Sequence, residues 1–252
     1  MAKRIATFIV SLLLIAVVGF YVVRYYIENF YDDPGAVSAR ELRITNEEVS
    51  ELINEYEKLD HGEDVVVCVN PAYGGYENGA SNDTLMEKDI TLDVALALIE
   101  LDTEEDGVNI RLTRYDDTAP TYEQRLDIVA ALDPDIFVNL RVSEAADENT
   151  FGTESFYASD YYDYRLNAAK LADILERNTV SSIEGLALGV SRKEDASDSL
   201  IANVNAVAAE VSLGYVSSEL EADAFTSQAY IDNLAAGLYN GIIEAAGIFE
   251  AE

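Results

Sequence analysis

A single cysteine, Cys68, and a single histidine, His61, in 252 residues close off two common routes to chemistry. One thiol can form no intramolecular disulfide and no cysteine metal cluster. Its place inside the apolar run 65–69 makes it a small core residue. His61 stands beside Gly62, away from the motifs described below, and reads as a solvated linker residue. Positive charge is also scarce, with 16 Lys and Arg against 48 Asp and Glu and a net charge of −32. That balance argues against nucleic acid, anionic lipid and anionic wall polymers as docking partners. Most of the acidity reads as solvated surface. Asp160 and Asp163 are oxygen ligands of the kind calcium takes, but no loop has EF-hand spacing.

Long hydrophobic runs are limited to one. After Lys3 and Arg4, residues 5–23 carry no charge and are about long enough to cross a bilayer core of ~30 Å. Residues 1–27 are therefore expected to form a transmembrane anchor. The alternative is a cleaved signal peptide, although the small residues Val37, Ser38 and Ala39 lie far downstream for a cleavage site. Lys3 and Arg4 before the span, against Arg24 alone just after it, favour a cytoplasmic amino terminus with the bulk of the chain facing outward. Tyr21, Tyr25 and Tyr26 suit the outer interface. Residues 28–63 turn polar and acidic and read as a stalk, with Asp32-Asp33-Pro34-Gly35 as a turn. Within it, Thr45 and Glu48 form a capping box and Ile44 and Val49 a hydrophobic staple, so a helix is expected to start there. Val49, Leu52, Ile53, Tyr56 and Leu59 give it one apolar face for docking on the remainder.

Residues 64–252, in a chain that is 49% hydrophobic, hold enough material for one α/β domain. The β-branched run 65–69 has the mark of a strand covered on both faces, and Asn70-Pro71-Ala72-Tyr73-Gly74-Gly75 ends it abruptly. A helix is expected over 89–101, a strand over 108–112, a helix over 121–132 and a strand over 136–142. Further strands are expected over 152–158 and 206–213, with helices over 164–178 and 227–247. This alternation predicts a mostly parallel sheet with helices on both faces. In such sheets, ligands bind at the carboxyl ends of the strands.

The turn at 70–75 and the triplet Glu87-Lys88-Asp89 resemble the first metal-ligand region of the zinc-dependent N-acetylmuramoyl-L-alanine amidases, where the corresponding turn reads Asp-Pro-Gly-His-Gly-Gly and is followed by Glu-Lys-Asp. Further landmarks fall in the family's order: Leu112-Thr113-Arg114, then Arg125, then Phe137-Val138-Asn139-Leu140-Arg141, then Gly152-Thr153-Glu154, then Leu213-Gly214-Tyr215-Val216-Ser217-Ser218. The resemblance runs from Val65 to about Gly247. It implies an amidase-like fold and a zinc site of two histidines and one glutamate, with a second glutamate as general base. Carried over by position, the ligands are Tyr73, Glu87 and Arg141, and the base is Ser212.

Of these only Glu87 suits its inherited role. A phenol with a pKa near ~10 is protonated at neutral pH. A guanidinium is always charged and has no lone pair to offer. A serine without an activating base takes no proton. Glu210, two residues before Ser212 on the same strand face, is the nearby carboxylate that might substitute. The expectation is a domain without bound zinc or hydrolase activity, in which Arg141 pairs with Glu87 and the Tyr73 hydroxyl bonds to one of them. Such a domain would bind peptidoglycan fragments or dock a cell-wall remodelling protein. Two alternatives stand: an active amidase with a metal site rebuilt around Glu87 and Glu210, which carboxylates would tilt toward magnesium, calcium or manganese, and a structural spacer.

Overall fold

The computed structural model describes residues 34–250, apart from 61, 63, 104–105, 159–161, 164–165 and 195. The expected anchor over 1–27, His61 and Asp160 therefore lie outside the described residues, among which no helix is long and apolar enough to cross a membrane. Residues 44–252 form one compact unit.

Its centre is a six-stranded sheet built from β1 (Val65–Pro71), β2 (Val108–Leu112), β3 (Ile136–Ser143), β4 (Thr153–Tyr157), β7 (Ala187–Arg192) and β8 (Val207–Tyr215), in the order β2-β1-β3-β8-β4-β7. β2, β1, β3 and β8 are mutually parallel, whereas β4 runs antiparallel to β8 and carries β7 parallel to itself. The sheet is thus mostly parallel, as the alternation of strands and helices predicts, with a reversed edge that the sequence pattern does not show.

Each central strand sends alternate residues to opposite layers. Val65, Val67 and Val69 of β1, with Val138 and Leu140 of β3, join a core shared with α2 (Glu87–Ile99), α4 (Ala168–Ile183) and α7 (Gln228–Glu250). Val66, Cys68, Phe137 and Ala208 face a smaller core with α1 (Pro34–Tyr56), α3 (Tyr122–Leu132) and α5 (Leu200–Asn203). Cys68 is fully buried there, and burial pushes its thiol pKa well up, consistent with a core residue. Toward their carboxyl ends the strands switch this second face from apolar to polar: Asn70 on β1, Asn139 and Arg141 on β3, and Glu210 and Ser212 on β8. That row is the floor of the site described below.

Several boundaries differ from expectation. Helix α1 begins at Pro34, not at Thr45. A proline costs nothing in a first turn, where its missing N–H has no helical partner, and a capping box is only a local option that a continuing helix overrides. The docking face of α1 is as expected, with Val49 and Tyr56 buried and the Tyr56 hydroxyl donating to the Leu112 carbonyl at 2.7 Å. Helix α4 spans 168–183 rather than 164–178, because β5 (Tyr162–Asp163) and β6 (Leu166–Asn167) pair ahead of it and the Asn167 side chain caps it by accepting from Lys170 N. Strand β7 was not expected at all. It is an edge strand whose residues are exposed or half-buried, so it lacks the alternation that marks a strand in sequence. A short helix, α6 (Glu219–Phe225), also precedes α7.

Candidate functional site

The turn after β1 is held by two buried arginines that bind neutral oxygens, mostly backbone carbonyls, rather than carboxylates. Arg114 donates from Nε to the Pro71 carbonyl at 3.1 Å and from Nη2 to the carbonyls of Ala72 at 3.2 Å and Lys88 at 2.7 Å. Arg125, on α3, donates from Nη1 to Asn70 Oδ1 at 2.6 Å and from Nη2 to the Tyr73 carbonyl at 2.6 Å. Burial lowers both pKa values, to about 10 for Arg114 and about 9 for Arg125, leaving both charged at neutral pH. Asp117 closes the turn from the other side, accepting from Gly75 N at 2.8 Å and pairing with Lys88 Nζ at 2.6 Å.

These contacts force an unusual backbone path. Tyr73 sits at φ 60°, in the left-handed region that a side chain rarely adopts. Gly74 follows at φ 140°, and a Cβ there would come within 1.9 Å of the Thr118 carbonyl oxygen. The glycine is therefore required by close backbone approach. The outcome is that the Tyr73 ring is turned toward the end of β3.

There it meets Arg141. The Arg141 Nε donates to Glu87 Oε1 at 2.6 Å and Nη2 donates to the Tyr73 hydroxyl at 3.0 Å. The guanidinium also lies 4.9 Å from the centre of the Tyr73 ring, within cation–π range. Glu87 is fully buried at the start of α2, and its remaining capacity is used by Val142 N on Oε1 at 2.9 Å and Ala80 N on Oε2 at 2.8 Å. Burial works against the Arg141 charge, but Glu87, helped by Glu210 and Tyr73, outweighs it and the arginine pKa ends up raised. The three positions brought together by the resemblance thus do converge, with the Arg141–Glu87 contact and the Tyr73 hydrogen bond that their chemistry predicts.

Alongside runs a second polar chain that sequence reasoning did not assemble. Thr113 Oγ1 donates to Asn70 Oδ1, Asn70 Nδ2 to Asn139 Oδ1, and Asn139 Nδ2 to Glu210 Oε2, each at 2.6–2.7 Å. Lys193 Nζ, just beyond β7, pairs with Glu210 Oε1 at 2.6 Å. Glu210 is therefore an ion-pair partner with both oxygens engaged, which does not suit a free general base. Ser212 shares a hydrogen bond of 2.7 Å with the Ser143 hydroxyl. Asn70 and Asn139 were visible as polar residues inside apolar strands, a signal worth weighing. Lys193 carries no such signal, because it follows an edge strand that lacks apolar alternation. Residues of both chains line a cleft of about 400 Å³, among them Tyr73, Arg125, Asn139, Arg141, Lys193 and Glu210.

The residues at the inherited metal position do not fit zinc. Zinc takes neutral imidazole, thiolate or carboxylate donors, whereas here one guanidinium nitrogen sits on the one competent carboxylate oxygen. Among the described residues, no three His, Cys, Asp or Glu side chains are grouped to hold a metal.

Comparison with known proteins sets this geometry in context. The sequence profile of the N-acetylmuramoyl-L-alanine amidase family matches residues 67–244. The uncharacterized protein YqiI of Bacillus subtilis (strain 168) is 31% identical over 176 residues, covering 70% of this chain and 82% of its own length. The germination-specific N-acetylmuramoyl-L-alanine amidase of the same organism is 24% identical over 192 residues, covering 71% of this chain and 78% of its own. Among solved structures, an N-acetylmuramoyl-L-alanine amidase from Clostridium difficile 630 superposes with a TM-score of 0.66 at 21% identity, covering 73% of this chain and 97% of that one.

Proposed function

The chain belongs to the N-acetylmuramoyl-L-alanine amidase family, and from that premise we propose that it is a membrane-anchored, extracytoplasmic member that holds peptidoglycan fragments in its cleft without hydrolysing them. The observation that carries this reading is the Arg141 guanidinium, 2.6 Å from Glu87, at the position where the resemblance expects a metal ligand. A fixed cation there repels a second one and uses up the carboxylate that would bind it. Ser212, at the general-base position, bonds only to another hydroxyl among the described residues, and Glu210 is held by Lys193 and Asn139. The cleft nonetheless keeps its walls, its polar floor and a volume within the range of small-ligand pockets. The anchor and outward orientation rest on the uncharged run 5–23 and its flanking charges.

The test is metal analysis of the purified full chain together with peptide release from peptidoglycan, with and without a chelator. The expected result is substoichiometric zinc and no chelator-sensitive release. Stoichiometric zinc with release that the chelator abolishes would overturn the proposal in favour of an active hydrolase.

A further inference from the structure

We infer that the cleft is selective for a muramoyl group with a free carboxylate, the form of the sugar left after an amidase has acted, over one still joined to peptide. This deepens the non-hydrolytic reading above and rests on it. Hydrolysis of the muramoyl–alanine amide adds water across the C–N bond, leaving a carboxylate on the muramoyl side and an ammonium on alanine. The uncut bond presents only a neutral carbonyl to a binding site. The cut one presents an anion with two acceptor oxygens in a plane.

The cleft is built for the second. A guanidinium carries five N–H donors in a rigid fork, and the described residues occupy only two of Arg141's, at Glu87 and Tyr73. The side chain is 30% exposed and lines the cleft, so the remaining donors are available to a bidentate carboxylate. Lys193, 31% exposed and also lining the cleft, spends one of its three donors on Glu210.

Charge does not oppose it. The chain carries three acidic residues for each basic one, yet at this cleft Arg125, Arg141 and Lys193 balance Glu77, Glu210 and the Glu87 paired with Arg141. The carboxylates nearest the two partly exposed cations turn no free oxygen toward an incoming anion. Glu87 is 0% and Glu210 5% exposed, and each has both oxygens hydrogen-bonded. At about 400 Å³ the space suits a single sugar-sized group. The reaction class that supplies such a ligand is the hydrolysis this family performs elsewhere, so the domain would report where peptide has been removed.

The experiment is calorimetric titration of the full chain, in detergent micelles, with two probes: a peptide-free glycan oligomer bearing free muramoyl carboxylates, and the same oligomer capped as the L-alaninamide, which is uncharged. The free carboxylate form should bind about tenfold tighter, the scale of one charge-assisted contact. Arg141→Lys keeps a charge for Glu87 but loses the fork, and Lys193→Gln leaves the Arg141–Glu87 pair untouched. Each should shrink that preference severalfold, read below the thermal unfolding transition of each variant, since Lys193→Gln also leaves the buried Glu210 without its counter-ion. Equal or tighter binding of the capped oligomer would overturn the selectivity while leaving peptidoglycan binding standing. Failure of both probes to bind would overturn both readings. A preference unchanged in both variants would overturn its assignment to these cations.

Discussion

Glu87 and Glu221 are both buried carboxylates that hold strand-end loops, yet among the described residues only Glu87 is paired with a cation. Glu221, on α6, accepts from Gly152 N at 3.0 Å and Tyr215 N at 2.8 Å. Burial raises its pKa despite those two hydrogen bonds. Glu87 has the equivalent pair of backbone donors, from Ala80 and Val142, and the Arg141 guanidinium as well. Backbone N–H groups therefore suffice to hold a carboxylate in this fold. The arginine at the cleft answers a different need, the compensation of charge at a fully buried position where the family resemblance implies a metal ligand. Glu221 is a structural carboxylate that tolerates its burial. Glu87 is half of a charge pair facing a cleft.

The contrast breaks most clearly at Arg141. Arg141→Ala strands Glu87 without its counter-ion and should cost about 3 kcal/mol, the lower end for breaking a buried pair because the arginine itself is partly exposed. Glu87→Gln should cost only about 1 kcal/mol, since the amide oxygen still accepts from the guanidinium. Urea unfolding of the two variants gives the ranking. Equal and negligible losses would mean that the cleft is simply hydrated and the pair contributes nothing.

Glu221→Ala comes next in size. It removes the acceptor for two buried backbone donors and should cost about 2 kcal/mol. Glu221→Gln, which restores only one good acceptor, should fall between Ala and wild type in the same unfolding measurement. A Glu221→Ala loss larger than that of Arg141→Ala would invert the comparison.

The smallest effect lies in pH. Glu221 titrates above the ordinary carboxylate value, so the folded state takes up its proton more readily than the unfolded state. Its contribution is fully favourable below the unfolded pKa and is lost as pH rises through the folded one. Arg141 is also raised, but from an already strongly basic starting point, so the stability it contributes is intact across the neutral range and is lost only at strongly alkaline pH. Measured against wild type, Glu221→Gln should therefore gain relative stability as pH rises from about 4.5 toward neutrality, whereas Arg141→Ala should lose it, since an ionised Glu87 is then left without a counter-ion. A level Glu221→Gln difference over that range would remove the distinction between the two carboxylates.

Much of the fold was legible because long-range order left local marks. The valine run of β1, the Gly-Gly turn and the alternation of strand and helix patterns are each set by neighbours in sequence, and each appears in place. The reversed edge was not legible. Whether β4 lies parallel or antiparallel to β8 depends on how a distant segment returns to the sheet, and β7 is too exposed to show an apolar alternation. The start of α1 was misplaced for a related reason, because a capping motif states only a local preference and Thr45 lies inside a helix that continues through it.

At the site, the residue chemistry alone determined that Tyr73, Glu87 and Arg141 could not hold zinc as histidines would, since a phenol, a carboxylate and a guanidinium have fixed donor and charge properties wherever they sit. It also made Arg141 the cation at hand for Glu87 wherever the strand end and the helix start converge. Only the tertiary structure decided that Glu210 would be taken by Lys193 and Asn139, a residue beyond an unrecognised edge strand meeting two central ones. Ion pairing depends on side-chain ends meeting within a few ångströms, and that distance is set by the packing of strands far apart in sequence.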